Sequence, residues 1–598
     1  MGRIRSLKHF VLTWLIVVIL FALVPAPADA QAVPYEDAPN QGPYVDKVLF
    51  KFGYDTDNKI VLGLQSDSID MHVNRLHPLY ALQLEESENF EVTRVQRNGY
   101  GIFTINCAKY PYNITAFRRA LAFALDKEGI CEDVWVGEAH PQDSPVPAVN
   151  PYSIEGQLPY TYYASHPEIG NQLLDDAGFL DRNADGWREA PDGSPLHVVI
   201  EHGAVEGDEA WLIVEYAVEA FRLLHISAEN HISQIYEILG KVNHNLDFDI
   251  VFFGFNYGGA YFMYLTDYVT SNIGLEYHNA PNWGNATYDQ LANIILTENS
   301  FDEILDAVEE MQRIFVYECP RIPVYCDNRF HVFRKDVFEI PYRHKWQGIA
   351  TSMTYRKVHR TLDAGGPWGG IFRVGTELPS SLNFMLENTI YSGHILRCLM
   401  MRMFTQDQDG FSFPELADSW SVEYHEDNPI VPDGHTRVTI NLIRNATWSD
   451  GNLITADDMA FSLNYYRDGV ACGNPLGVTL LDMTAAFAAA PFRLVVEFST
   501  ESYWHLDFVT TFDVIPKHIF EDLGLEAWRE WDPLLGHHEL ISSGAFEVGE
   551  YLPGEFLELN ARLDWAFGLG HLRPESTTST EATTTPTEPV EGMNPMLV

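Results

Sequence analysis

The segment Trp448–Gly469, WSDGNLITADDMAFSLNYYRDG, decides the fold of this chain. Just before it, residues 438–442 alternate apolar and polar side chains, which is the period of a half-buried strand. Ser449-Asp450-Gly451 is typical of a turn, because glycine tolerates the positive φ that tight turns need. A strand followed by a turn is therefore predicted here.

A helix is predicted after the turn. Thr455 and Asp458 have the spacing of a capping box, in which a hydroxyl and a carboxylate each accept an otherwise unpaired backbone N–H. Apolar side chains then recur at helical spacing, at Ala460, Leu463 and Tyr466. The whole unit predicts a strand, a turn and a helix, the repeating unit of α/β folds.

The charge of the chain excludes one class of partner. Its 598 residues include 84 acidic and 38 basic side chains, a formal net charge of −46. Proteins that bind nucleic acid need clustered Lys and Arg against the phosphates. We therefore expect no nucleic-acid partner.

Residues 1–30 have the three parts of a secretory signal peptide. Basic residues precede the apolar run Phe10–Val24, and Ala28-Asp29-Ala30 has the form of a cleavage site. The alternative is an uncleaved N-terminal anchor, although the run is short for a bilayer span. Both interpretations place the protein outside the cell or at its surface.

The sequence of the segment that begins at Trp448 resembles one family, the oligopeptide/dipeptide/nickel-binding family (family 5) of ABC-transporter extracellular solute-binding proteins. Its members carry W-S-D-G-x-x-x-T-A-D-D before a helix. Further segments resemble that family, namely FRRALAFALDKEGI (117–130), PELADSW (414–420), IPKHI (515–519) and SGAF (543–546). The resemblance implies a periplasmic-binding-protein-like type II fold, with two α/β lobes and a ligand cleft between them.

The order of these segments is unusual. In the family the W-S-D-G segment lies early, whereas here it begins at residue 448 of 598. Residues 371–566 resemble the family's N-terminal half and residues 43–345 its C-terminal half. Either the fold is circularly permuted, which we favour because the two halves are complementary, or two incomplete copies abut.

This order predicts five segments. After the signal peptide (1–30), the C-terminal-type half (43–345) supplies most of lobe II, and a Gly-rich linker (346–370) joins it to the N-terminal-type half (371–566), which forms lobe I. Residues 567–598 are predicted to be a disordered tail, rich in Thr, Ser, Pro and Glu.

The resemblance implies capture of a small molecule, an oligopeptide or oligosaccharide, for delivery to an ABC transporter permease. In the family a G-W-x-x-D segment provides an Asp that holds a peptide's amino terminus. Here Gly254-Phe255 fits its start, but the Asp position falls on Gly258. The missing carboxylate leaves the choice between peptide and sugar open.

Six residues are predicted to contact the ligand. Aromatic rings with polar tips suit a sugar face or an apolar side chain, and several occur around the Gly-rich loop after residue 255. In lobe I, two residues follow the first strand of that half, where the family meets ligand backbone. The predicted ligand contacts are Phe255, Asn256, Tyr257, Tyr261, Glu377 and Leu378.

No chemistry-bearing motif argues for an enzyme. The chain has no G-x-S-x-G, Walker A or H-E-x-x-H pattern, and we predict no cofactor. Asp181–Asp192 spaces oxygen ligands as a calcium loop does, yet it ends in Asp where a bidentate Glu is expected, so a plain turn is preferred over a metal site. The alternative function is a cell-surface interaction protein that retains the fold without transport.

Overall fold

The segment that decides the fold forms the predicted elements. Strand Thr436–Leu442 alternates buried and half-buried side chains along its whole length. Helix Ala456–Gly469 begins after Thr455, whose hydroxyl accepts the N–H of Asp457, while the Asp458 carboxylate accepts the N–H of Thr455 at 2.9 Å. The predicted capping box is confirmed.

The computed structural model describes residues 41–257, 262–379, 381–385, 389–529, 531 and 540–573. The predicted signal peptide and residues 574–598 of the tail lie outside this range. The strands are β1 Lys47–Lys51, β2 Met71–His72, β3 Phe90–Gln96, β4 Gly99–Ile105, β5 Ala139–Pro141, β6 His197–His202, β7 Ser227–Ile232, β8 Ile250–Asn256, β9 Arg321–Arg334, β10 Phe338–Glu339, β11 His359–Arg360, β12 Ile371–Gly375, β13 Phe404–Gln406, β14 Ser412–Pro414, β15 Ala417–Glu423, β16 Thr436–Leu442, β17 Met483–Ala490, β18 Arg493–Phe498, β19 Phe546–Leu552 and β20 Phe556–Ala561.

The helices are α1 Asp57–Gln65, α2 Pro78–Glu85, α3 Thr115–Ala124, α4 Lys127–Asp133, α5 Pro167–Asp176, α6 Glu209–Leu223, α7 Ile235–Gly240, α8 Ala286–Thr297, α9 Phe301–Glu318, α10 Ser352–Lys357, α11 Ile390–Leu399, α12 Ala456–Gly469, α13 His505–Thr510 and α14 Lys517–Leu523. Across the described residues, none of these helices combines the length and the apolarity that crossing a bilayer requires.

One long strand, β9, connects two halves of a large mixed sheet. The sheet runs β19-β20-β1-β12-β2-β9-β4-β8-β6-β7, with β3 and β5 also paired to β9. The first part of β9 pairs with β4 and β5, and its second part pairs with β3. We call the half with β1, β2, β3, β12, β19 and β20 lobe I, and the half with β4–β8 lobe II.

Each lobe has its own hydrophobic core. In lobe I the core also includes a second, antiparallel sheet, β15-β16-β18-β17, which packs under α12. In lobe II one core lies around α3 and α6, and another lies around α8 and α9. Both lobes are α/β, as the resemblance implied.

The two ends of the described chain meet at β1. This strand pairs in parallel with β12, Lys47 opposite Ile371, and antiparallel with β20, Lys47 opposite Asn560. The guanidinium of Arg573 lies 2.6 Å from the Asp46 carboxylate and donates to the backbone carbonyls of residues 43–45. The start of the first half therefore lies against the end of the second.

The segment predicted as a linker, 346–370, is packed into the fold. It contains α10 and β11, and Trp346, Ile349 and Tyr355 are buried; Ile349 and Tyr355 belong to the core of lobe I. The sequence shows no periodicity there because short elements alternate with loops. Its apolar residues nonetheless cover β1 and β12, so this segment stabilises the lobe.

The segment 117–130, which resembles the family, is divided between α3 and α4. Asp126 lies between the two helices and caps α4, since its carboxylate accepts the N–H of Gly129 at 2.9 Å. Thr115 is the first residue of α3, and its hydroxyl donates to Glu318.

The meeting of the chain ends predicts that the order of the halves can be reversed. We expect a chain that starts at Asp363, runs to Arg573 and continues through about ten Gly/Ser residues into Gln41–Leu362 to fold, because such a linker spans ~30 Å. Its thermal midpoint, followed by circular dichroism, should lie near that of the 41–573 chain. The same joined chain opened between Asp327 and Asn328, inside β9, should fail to fold. Equal behaviour of the two reordered chains would contradict the prediction.

Candidate functional site

Two strand paths cross from one lobe to the other, and they lie side by side. β3 passes through Arg97 and Asn98 into β4, and β9 runs past them without interruption. Gly99 makes the close approach of β4 to β8 possible, because a Cβ there would lie 2.2 Å from the carbonyl oxygen of Phe255. We call residues 96–99 and 326–329 the hinge.

A buried ion pair lies in the hinge. Arg97 Nη2 is 2.6 Å from Asp327 Oδ1, and Asp327 is fully buried. The backbone N–H of Arg97 also donates to the carbonyl of Asp327 at 3.0 Å. Arg75 reaches the same carboxylate at 3.8 Å, lies over the ring of Trp135 and pairs with Glu209. One carboxylate thus serves two arginines.

A third arginine in the hinge has no acidic partner. Arg329 Nη2 donates to Asn256 Oδ1 at 2.9 Å, and no carboxylate of the described residues lies within 4.0 Å of it. Arg97 donates to the same oxygen at 3.4 Å. Burial, with a smaller contribution from the charge of Arg97, lowers the pKa of Arg329 to about 10. A half-buried cation in this environment favours an anionic ligand.

Lobe I presents a hydrogen-bonded group to this arginine. Glu377 follows β12, and its Oε1 accepts from the side chain of Asn74 at 2.9 Å. Tyr391, in the first turn of α11, is hydrogen-bonded to Glu377, and the positive charge of Arg329 acts to lower its pKa. Burial raises the pKa of Tyr391, and Glu377 raises it further. Tyr391 is therefore hydrogen-bonded to Glu377 and within electrostatic range of Arg329.

The structure describes five of the six predicted contact residues. Asn256 of lobe II accepts a hydrogen bond from Arg329, Glu377 of lobe I accepts one from Asn74, and Leu378 is exposed beside Glu377. Phe255 is half-buried next to Asn256. Tyr261 lies outside the described residues.

Tyr257 is packed beneath the surface. Its ring stacks on Tyr264 with centroids 3.8 Å apart, and its hydroxyl lies 2.5 Å from the hydroxyl of Tyr100 and 3.2 Å from the carbonyl of Pro145. The structure thus gives Tyr257 a supporting position under Phe255. Sequence reasoning missed Arg75, Arg97, Arg329 and Tyr391, which follow no motif spacing.

In the calcium-like loop, carboxylate oxygens accept hydrogen bonds from the loop's own backbone. Asp181 accepts the backbone N–H groups of Ala184 and Gly186, and Asp185 accepts that of Trp187. These are Asx-turn contacts. Within the part of the chain that the structure describes, no set of three or more His, Cys, Asp or Glu side chains is arranged to hold a metal.

The lobes touch again far from the hinge along the chain. Trp504 Nε1 donates to the carbonyl of Ile295 at 2.8 Å, and Ser502 Oγ donates to that of Leu296 at 2.9 Å. Asn299 donates to Glu501 at 3.0 Å, and the ring of Tyr503 stacks on Phe301. We call this contact between residues 501–504 and the α8–α9 corner the seam.

The architecture and its charged cleft agree with a match to one family. The family model described as bacterial extracellular solute-binding proteins, family 5 Middle, matches residues 30–272 and 413–578, about two thirds of the chain. The chain belongs to this family. Membership of family 5 also establishes the two-lobed, periplasmic-binding-protein-like fold of the chain.

Solved family 5 structures are similar over part of their length. The oligopeptide-binding protein AppA of Bacillus subtilis with a nonapeptide is 17% identical, with 51% of this chain and 58% of that chain covered at a TM-score of 0.46. The mannohexaose-bound oligopeptide-binding protein of Thermotoga maritima is 19% identical, with 51% and 61% covered at 0.44. NikA of Brucella suis with Fe(III)-EDTA is 15% identical, with 51% and 60% covered at 0.43.

This chain therefore spans about three fifths of the length of the solved structures it matches. No curated protein matches it.

Three buried histidines, His72, His331 and His394, lie near the hinge in lobe I. His72 donates from Nδ1 to the carbonyl of Asn74, because its Nε2 accepts the N–H of Val332. His331 lies 5.6 Å from His72, ring centre to ring centre, and His394 follows Tyr391 on α11. Burial lowers the pKa of His72 to about 4 and that of His394 to about 3, and it lowers the pKa of His331 strongly.

Breaking the hinge ion pair should destabilise the protein unequally. Removing one partner of a buried pair costs about 3–5 kcal/mol. Asp327→Asn leaves Arg75 and Arg97 without their shared carboxylate, whereas Arg97→Met leaves Asp327 with Arg75. We expect a larger loss of unfolding free energy for Asp327→Asn, measured by urea denaturation. Arg313→Gln, on the outer face of α9, should change little, and equal losses for all three would contradict the role of the hinge pair.

The buried histidines predict acid lability with a defined sign. Their folded-state pKa lies below the ordinary value of 6.5, so the stability that neutral histidine contributes is complete above pH 6.5 and lost as pH falls toward 4. Over that pH range, each histidine changes the free energy of unfolding by about 1.4 kcal/mol per pH unit. His394→Leu should flatten the dependence of the unfolding free energy on pH. His231→Asn, on exposed strand β7, is the matched control; parallel curves for both variants would refute the assignment.

Proposed function

We propose that this protein is an extracellular solute-binding protein that captures an oligopeptide or oligosaccharide between its lobes and delivers it to an ABC importer. Family 5 membership supports capture and delivery as the general role. The N-terminal pattern of residues 1–30 supports export. The observation that carries the proposal is Arg329, which has no carboxylate partner among the described residues, donates to Asn256 of lobe II and acts electrostatically on Tyr391 of lobe I.

The two lobes form one fold whose halves occur in permuted order. This organisation is supported by the position of β1 between β12 and β20, strands from the other half of the chain. A ligand that touches both lobes favours the closed arrangement, because its contacts with the second lobe form only when the lobes meet. The permease then recognises the closed form.

Arg329 favours an anionic ligand over a neutral one. A guanidinium binds a carboxylate with two parallel N–H···O bonds, and a carboxylate is what the end of a peptide offers. Asn256 keeps its amide N–H₂ free among the described residues, because only its oxygen is used by Arg97 and Arg329. Of the two ligand classes, the charge favours the oligopeptide.

The alternative is a cell-surface interaction protein that keeps the fold without transport. The Thr/Ser/Pro/Glu-rich tail and the glycine at position 258 favour it. The described residues and the sequence give no positive case for an enzyme, since no catalytic motif is present.

Ligand screening separates these functions. We expect thermal-shift assays on residues 31–598 to show stabilisation by short peptides, with ~2.7 kcal/mol at a hundredfold excess over the dissociation constant. Flat melting curves with both peptides and oligosaccharides would favour the interaction protein.

Arg329→Gln tests the anchor. Hydrogen bonds to charged groups contribute ~1.5–3 kcal/mol, so peptide affinity measured by calorimetry should fall ~10- to 100-fold. Amidation of the peptide's C-terminus should weaken binding to the parent protein but not further weaken binding to Arg329→Gln. Arg313→Gln is the control. Peptide affinity that is insensitive to both changes would remove Arg329 from the site.

A further inference from the structure

The C-terminal end of α8 in lobe II has two carbonyl groups that the helix itself does not use. In a continuing helix, the N–H groups of Asn299 and Ser300 would bond the carbonyls of residues 295 and 296. Both N–H groups bond the carboxylate of Glu298 instead, at 2.9 and 3.4 Å. The two carbonyl oxygens are therefore left for donors from elsewhere.

Lobe I supplies donors from three consecutive residues of the seam. The indole N–H of Trp504 and the hydroxyl of Ser502 donate to these two carbonyls. The backbone N–H of Tyr503 donates to the carbonyl of Glu298 at 3.4 Å. The seam is thus a helix C-cap whose acceptors belong to one lobe and whose donors belong to the other.

The donors are oriented by contacts within lobe I. Ser502 Oγ also accepts the backbone N–H of Trp504 at 3.2 Å. The carbonyl of Trp504 accepts the N–H of Phe508 in α13, at 2.9 Å. Because the loop is already ordered by its own lobe, little conformational entropy is lost when the donors meet α8.

Aromatic contacts accompany the hydrogen bonds. Trp504 is buried, and its ring lies edge-on to that of Phe262 in the core around α8 and α9. Tyr503 stacks on Phe301 with ring centroids 5.0 Å apart, yet 39% of Tyr503 remains exposed. If the lobes separate here, water can bond the helix-end carbonyls, as it does at many helix ends. The seam can therefore open without leaving a buried polar group unpaired.

We propose that the seam is a reversible latch, in which residues 502–504 of lobe I cap α8 of lobe II and hold the lobes together whether or not a ligand is bound. The two strand paths that join the lobes cross at the hinge, so the seam can open without breaking a strand. Its bonds join protein atoms to protein atoms. The latch therefore goes beyond the proposed function and does not depend on the ligand class.

The test uses residues 31–598 with no ligand added. The double variant Ser502→Ala/Trp504→Phe removes both side-chain donors and keeps an aromatic ring in the lobe II core. Losing two hydrogen bonds should raise the ratio of open to closed lobes ~10- to 100-fold. We expect a larger radius of gyration by small-angle X-ray scattering. Hydrogen exchange at the end of α8, measured by mass spectrometry, should also become faster.

A matched control makes the same chemical changes elsewhere on lobe II. Trp187→Phe/Ser194→Ala alters an exposed tryptophan in the calcium-like loop and a serine just after it, and should behave as the parent does. Ser502→Ala alone removes one hydroxyl and should shift the ratio of open to closed lobes in the same direction, ~2- to 10-fold. Circular dichroism verifies that each variant is folded.

A radius of gyration in the double variant equal to that of the parent would overturn the latch. Faster exchange confined to residues 501–504 would overturn it too, because it would report a loosened loop and not separated lobes. Neither measurement involves a ligand. A peptide screen without binding would therefore count against the proposed function alone, and unchanged lobes would count against the latch alone.

Discussion

The ion pair between Arg97 and Asp327 is the constraint on which the rest of the structure depends. It joins two neighbouring strand paths, β3–β4 and β9, at the point where the large sheet passes from lobe I to lobe II. A buried pair of this kind contributes little net stability compared with apolar residues of the same size, but it tolerates no loss of a partner. The pair lies where β3 passes into β4 beside β9, at the point where the pairing of β9 changes from one strand to the other.

The same pair shapes the chemistry of the cleft. Asp327 is shared by Arg75 and Arg97, so a third arginine in the neighbourhood has no acid left to pair with. Arg329 therefore keeps its charge available beside Asn256.

Local patterns predicted much of the fold. The strand before Trp448 and the capping box at Thr455 follow from side chains that are close in sequence, and both are present as predicted. The packed segment 346–370 was not predicted, since its buried residues contact side chains that are distant in sequence, as Tyr355 contacts Phe50. Glu377 and Asn256 were predicted as ligand contacts, and their role in binding stays a prediction. Arg329 and Tyr391 could not be predicted from the sequence, because a lone arginine in a strand gains meaning only when its neighbours across the sheet are known.

The position of β1 has a consequence for how the protein is made. Lobe II is contiguous in sequence from β4 to β9, so its sheet is complete once residue 334 has left the ribosome. β1 is synthesised first and yet waits for β12 and then for β20, with Lys47 finding Asn560. Pairings so distant in sequence form slowly, and an unpaired strand is open to misassociation in the interval. The central strand of lobe I is therefore completed only after β20 has been synthesised.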